Sequence, residues 1–266
     1  MNNKSIGICD SGVGGIAVLS EIIKTLPEES YIYLGDTARF PYGSKSKESL
    51  IKYTKEMINF LINQDVKVVV VACGTASSVL PEVLEQKYPV PIIGILEPTL
   101  IRIDDNTKEI GIIATSRTIT SKAWDKIVNE KYPNINIITN ACPILAPLAE
   151  AGWTDNEIAR LVVQEYIKPF KNSNISELIL GCTHYPLFKE LIQEELPGVK
   201  LIDIDEEMGI YLKEYLTEKE LLSQNKSNSL LEFNLTDLDD SYYKLINNLM
   251  KEVGEIKADK INKIDL

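Results

Sequence analysis

The same four strand-like segments occur twice in this chain, in the same order. Lys4-Ser5-Ile6-Gly7-Ile8 is matched by Lys108-Glu109-Ile110-Gly111-Ile112, each opening a β-branched run that leads through a Ser/Thr-bearing turn into a helical segment. The same interval, 104 residues, separates Ile6 from Ile110 and Tyr31 from Ile135, which open the second pair. The third pair ends at Ala72 and Gly181, each followed by a cysteine with threonine close behind, and the fourth begins near Ile92 and Leu201. Four elements matched in register predict two related lobes facing each other about a pseudo-twofold axis.

Short β-branched runs read as strands over 6–9, 31–34, 66–72, 92–96, 110–114, 135–139, 178–180 and 201–204. Helical spacing separates them over 16–26, 47–64, 81–87, 121–131, 155–168 and 187–195. Alternation of this kind predicts an α/β fold of mainly parallel sheets flanked by helices, each lobe with its own core, and a site in the interlobe cleft. From about Tyr211 the tail reads as a helix, a polar loop with a strand near 229–234, a helix over 239–253 and a lysine-rich end. Because it follows the second lobe, the tail is expected to return to the first. The division is then 1–97 plus 209–266 for the first lobe and 98–208 for the second.

The formal charge of −11 over 266 residues excludes nucleic acid and anionic membrane as main partners, since both require a basic footprint. A small anionic metabolite is not excluded, because backbone N–H groups and helix N-termini set the local field. No apolar run approaches the ~20 residues that span a bilayer, and the residues before the first strand carry no leader pattern. A cytoplasmic protein is expected. Four widely spaced cysteines without a CxxC pair, and a single histidine, offer neither a disulfide framework nor a zinc site. No metal and no cofactor are expected.

The chemistry centres on the third pair of strands. Val68 to Ala72 ends in Cys73, with Thr75, Ser77 and Ser78 behind it; Leu178 to Gly181 ends in Cys182, with Thr183, His184 and Pro186 behind it. Both sulfurs thus lie beyond the carboxyl end of a strand, where open α/β sheets bind ligands. Both also precede a helix N-terminus, which is expected to lower a thiol pKa. A lone strand-end cysteine is ordinarily a small core residue; two at matched positions of matched lobes are better read as functional. Cys9 and Cys142 lack this symmetry and are assigned to packing. The first turn, Cys9-Asp10-Ser11-Gly12-Val13-Gly14-Gly15, projects a carboxylate and a hydroxyl between strand and helix, but completes neither a dinucleotide fingerprint nor a P-loop. Gly35 to Gly43 is dense in turn formers and marks an ordered loop over the same edge, in which Tyr42 is either a site residue or a surface anchor.

In these segments, and along nearly its whole length, the chain resembles the aspartate/glutamate racemase family, and specifically the members acting on glutamate. The resemblance rests on Asp10-Ser11-Gly12-Val13-Gly14-Gly15, on Gly35-Asp36-Thr37 with Pro41-Tyr42-Gly43, on Cys73 to Ser77, and most diagnostically on Leu180-Gly181-Cys182-Thr183-His184-Tyr185-Pro186. It implies that Cys73 and Cys182 are the two catalytic cysteines, assisted by Asp10 and His184. It places Asp10, Ser11, Pro41, Tyr42, Gly43, Gly74, Thr75, Thr183 and His184 against substrate, with Thr115 or Thr118 supplying a further contact. It also implies a homodimer that interconverts L- and D-glutamate for peptidoglycan without a cofactor. The alternatives are a racemase of aspartate or another amino acid, or a catalytically weak ligand-binding paralogue.

Two departures from the family pattern stand out. Gly74 replaces the usual asparagine, deleting a donor and, on the sequence alone, enlarging the pocket. Asp203-Ile204-Asp205-Glu206-Glu207 is more acidic than the family's turn at the second crossover.

Overall fold

The computed structural model describes residues 3–223, 229–240, 242–244, 246 and 258–266. Among them the strands are β1 (Ile6–Asp10), β2 (Tyr31–Gly35), β3 (Val68–Val71), β4 (Ile92–Gly94), β5 (Glu109–Ala114), β6 (Asn136–Ala141), β7 (Glu177–Leu180), β8 (Lys200–Asp203), β9 (Leu231–Leu235) and β10 (Lys260–Lys263). They form two sheets, ordered β10-β9-β2-β1-β3-β4 and β6-β5-β7-β8, and every pairing is parallel. The repeat is exact in topology: β2-β1-β3-β4 of one sheet has the strand order of β6-β5-β7-β8 of the other. The eight strands read from the sequence are all present, as is the tail strand, which pairs through Leu231 with Tyr31.

Side chains alternate between the two faces along the central strands, so neighbouring residues join different apolar clusters. Ile6, Ile8, Val68 and Val70 of the first sheet, with Ile110, Ile112, Ile179 and Ile202 of the second, belong to one continuous apolar cluster. The helices Gly15–Thr25 and Met208–Glu218 contribute Ile16, Leu19, Ile22, Met208, Leu212 and Leu216 to the same cluster. Separate clusters fill the outer faces, one containing Cys9 and Cys73 and the other Cys142 and Cys182. The expectation of one core per lobe is thus corrected: the inner faces of both sheets share a core.

Several segments differ from their sequence reading, each for a local reason. The helix expected over 81–87 is a single turn, Leu80–Val83, because Pro89 and Pro91 follow within a short link to β4. The helix expected over 121–131 is present as Ala123–Lys131, starting after Lys122 at φ 58°, and a short helix not expected, Ser116–Thr120, precedes it. The lysine-rich end contains an edge strand, β10; its Lys-Ile-Asn-Lys sequence carries charges suited to an edge and little β signal. The helix expected over 239–253 falls largely outside the described residues.

Candidate active site

Every element of the site sits at the carboxyl end of a strand. β1 delivers Asp10 and Ser11, β2 leads into the loop that carries Tyr42 and Gly43, β3 ends before Cys73, β5 before Thr115, and β7 before Cys182. The two sheets present these ends to one small cavity of about 20 Å³, far below the ~300–1,000 Å³ of ligand pockets. Its walls are Ser11, Phe40, Pro41, Tyr42, Gly43, Cys73, Gly74 and Thr75 from one side and Thr115, Ala146, Cys182, Thr183 and His184 from the other. Both cysteines therefore face a single space, and both are buried, with exposures of 6% and 8%. Among the described residues, the larger depressions lined by Ser77 to Tyr215 and by Thr154 to Gln193 bring no comparable set of reactive side chains together.

The sequence placed eleven of these wall residues. Two more of its site residues lie just behind the wall. Asp10 is fully buried, its Oδ1 accepting from the Gly12 N–H at 2.9 Å while Oδ2 has no hydrogen-bond partner among the described residues. Thr118 stands behind Thr115 and Thr75. Their hydroxyls form a triangle, with Thr75–Thr115 and Thr115–Thr118 both at 2.9 Å and Thr118 donating to Thr75 at 3.3 Å. Tyr42 is no surface anchor: it is 1% exposed and its hydroxyl donates to Asp36.

The two sulfurs meet unlike surroundings. Cys73 Sγ donates to Ser11 Oγ at 3.5 Å, and its pKa is pushed up to about 12 by burial and then by the charge of Asp10, against the Ser11 hydroxyl and the Ala76 N–H. The helix that follows, Gly74–Ser77, is one turn, too short for its dipole to offset burial. The expected lowering of this thiol pKa is thus corrected. Cys182 Sγ instead lies 3.9 Å from His184 Nδ1, and His184 Nε2 is 2.8 Å from Glu150 Oε1. Burial, the largest single influence on His184, opposes its charge, but Cys182 and Glu150 together outweigh it and raise the imidazole pKa to about 10. Asp10 is raised by its burial, which the positive His184 partly opposes.

Glu150 and Phe40 are functional neighbours that sequence reasoning missed. The Phe40 ring centroid is 5.5 Å from that of His184. Glu150 ends the helix Leu145–Glu150, and a lone carboxylate closing the apolar run Leu145-Ala146-Pro147-Leu148-Ala149 was the available signal.

Glycine permits close contacts between the lobes. A Cβ on Gly14 would lie 2.5 Å from Thr183 Oγ1 and 2.7 Å from His184 Cε1. A Cβ on Gly74 would lie 2.8 Å from the backbone oxygen of Gly181. The absent side chain at Gly74 therefore does not enlarge the pocket. The backbone of the opposite lobe, one residue before Cys182, takes up that room instead.

A two-lobed α/β scaffold with a cysteine from each lobe on one buried cavity is the architecture of an amino-acid racemase. Residues 6–206 match the Asp/Glu/Hydantoin racemase family, and the chain belongs to that family. Among its relatives, the glutamate racemase of Geobacter metallireducens is 46% identical over 222 residues, covering 82% of either chain. That of a Sulfurihydrogenibium species is 39% identical over 265 residues, covering 98% of either. The crystal structure of the Francisella tularensis glutamate racemase in complex with D-glutamate superimposes with a TM-score of 0.92 at 34% identity, covering 100% of this chain and 98% of that one.

Proposed function

We propose that this protein is a glutamate racemase that needs no cofactor, with Cys73 and Cys182 acting as acid and base on opposite faces of one Cα. The observation that carries this reading is that matched positions of matched lobes bring both sulfurs to the same buried cavity.

Racemisation removes the Cα proton on one side and returns a proton on the other, which requires two groups held across one carbon. Cys73, held as the thiol, is the donor; Cys182, beside the His184 cation, is the base. Their roles exchange when the substrate has the other hand. Ser11, Thr75, Thr115 and Thr183 supply hydroxyls for the substrate carboxylates, and backbone N–H groups at Gly43 and Gly74 add donors; charge developing on the carbanion is held by the same groups. Asp10 balances the charge of His184, while Glu150 and Phe40 hold the imidazole in place. Thr118 supports the hydroxyl of Thr115.

The lobes are taken as 1–97 plus 209–266 and 98–208, which agrees with the sheet to which each strand belongs. By family resemblance, the product D-glutamate supplies peptidoglycan, and the protein works in the cytoplasm as a homodimer. No described helix is long and apolar enough to cross a membrane.

The test is incubation of the purified chain with L-glutamate, D-glutamate and L-aspartate in deuterated water, following optical rotation and the loss of the Cα proton signal. Glutamate of either hand racemises on this reading. Exchange of aspartate alone would move the assignment to an aspartate racemase, a reading that the small cavity and the close Gly74–Gly181 contact keep in play. No exchange with any of the three would overturn the enzyme reading.

A further inference from the structure

The tail of the chain reaches the cavity at second hand. After β9, Thr236 and Asp237 are bonded to the loop that follows β2. The Thr236 hydroxyl donates to Asp36 Oδ1 at 2.9 Å and accepts from the Ala38 N–H at 2.9 Å. The Thr37 hydroxyl donates to the Asp237 carbonyl at 2.5 Å and accepts from the Asp237 N–H at 2.7 Å. Asp36 is fully buried, and its carboxylate is the hub of the loop: Oδ2 accepts from Arg39 Nε at 2.5 Å and from the Tyr42 hydroxyl. Among the described residues, Oδ1 takes its side-chain hydrogen bond from Thr236.

This loop has little regular structure of its own, only the short turns Thr37–Arg39 and Tyr42–Ser44. Its shape therefore depends on the bonds made to Asp36. The same loop carries Tyr42 and Gly43 into the cavity wall, where Gly43 packs on Thr115 of the opposite lobe.

We propose that Thr236 is a positioning residue for the racemase site: its hydroxyl fixes Asp36, Asp36 fixes Tyr42, and Tyr42 with Gly43 forms the first-lobe wall against which the substrate is held. The proposal rests on the reading of the cavity as a racemase site. A buried carboxylate that loses one of its donors turns or takes in water, because leaving a charged acceptor unpaired is costly. The wall then shifts with it. A threonine suits this place because one hydroxyl both donates to the carboxylate and accepts from Ala38 N–H.

The test compares the full-length chain with Thr236→Val, which keeps the shape and removes both bonds, and with Thr236→Ser, which keeps the hydroxyl. KM for glutamate rises about tenfold or more in Thr236→Val while kcat falls less, because the wall holds ground state and transition state alike. Thr236→Ser returns KM to within about threefold of the unaltered chain, the remainder reflecting the lost methyl packing. Thr37→Val, which breaks the neighbouring tail bonds without touching Asp36, lowers Tm but leaves KM in place. Should Thr236→Val fail to fold, Thr236→Cys, with its weaker donor, gives an intermediate KM. Unchanged KM in Thr236→Val, no rescue by serine, or an equal KM shift in Thr37→Val would each overturn the role of Thr236. Absence of exchange in the unaltered chain would remove the underlying racemase reading instead, so the two failures are distinct.

Discussion

The two halves of the cavity share a backbone plan and differ in charge. In the first lobe Cys73 has a hydroxyl and a buried carboxylate for neighbours, Ser11 and Asp10, and its thiol is pushed up to about 12. In the second, Cys182 lies against His184, whose pKa is raised to about 10 with Cys182 and Glu150 as its partners. The repeat thus duplicates strand order and the placement of the sulfurs, but not their electrostatics. On the proposed reading a symmetric reaction is carried by an asymmetric pair, with Cys73 held as the thiol and Cys182 set beside an imidazole.

The largest effects test what the halves share. Cys73→Ala and Cys182→Ala should each lower racemisation by at least ~10²–10⁴-fold, the usual contribution of a positioned acid or base. Each variant should keep a normal Tm, since alanine is tolerated at a small pocket-lining site. Appreciable turnover in either variant would show that one lobe suffices.

The next effects separate the halves. His184→Gln should slow abstraction by Cys182 by about a hundredfold, read as initial Cα deuterium wash-in from the substrate hand that Cys182 serves, and should slow the opposite hand less. Ser11→Ala should show the reverse preference at about tenfold. Equal losses for both hands in both variants would erase the distinction drawn between the lobes.

A smaller effect is expected where the halves touch. Gly74→Ala brings a Cβ to 2.8 Å from a backbone oxygen of the opposite lobe. The lobes must then part slightly, and kcat/KM should fall about tenfold with little change in Tm, because a misplacement of ~1 Å can cost as much as a hundredfold. Gly74→Asn should fall too. A gain of activity in Gly74→Asn would show that a missing donor, not the close contact, limits this site.

A further effect is on stability against pH. The folded pKa of His184, about 10, lies above its ordinary value of 6.5. Its protonation therefore stabilises the fold, fully below about 6.5, and that contribution is lost as pH rises towards 10. Across this window Tm should fall more steeply for the unaltered chain than for His184→Gln. Parallel curves would mean that the imidazole gains nothing from its partners.

Much of this arrangement was legible in the sequence, for reasons that can be named. Most of the strands β1 to β8 are β-branched or apolar runs near turn formers, and their repetition puts Cys73 and Cys182 at matched positions of the sequence. β10 was not legible, because Lys260-Ile261-Asn262-Lys263 draws its strand character from β9 and not from its own residues. Glu150 stands 34 positions before His184, and Thr236 stands 200 after Asp36; nothing local marks such partners, which only packing brings together. Sequence also misjudged Cys73 and Gly74. A following helix suggested a lowered thiol pKa and a missing side chain suggested room, whereas burial governs the first and the carbonyl of Gly181 fills the second.

The claim on which the account rests is that two separate groups, one per lobe, exchange protons with a single carbon. It is tested by following the first turnovers of protiated L-glutamate and of protiated D-glutamate in deuterated water, with mass analysis of each hand separately. The product should carry solvent deuterium at Cα from the outset while the remaining substrate stays protiated. Product that retains the substrate's own proton would mean that one group serves both faces, and would contradict it.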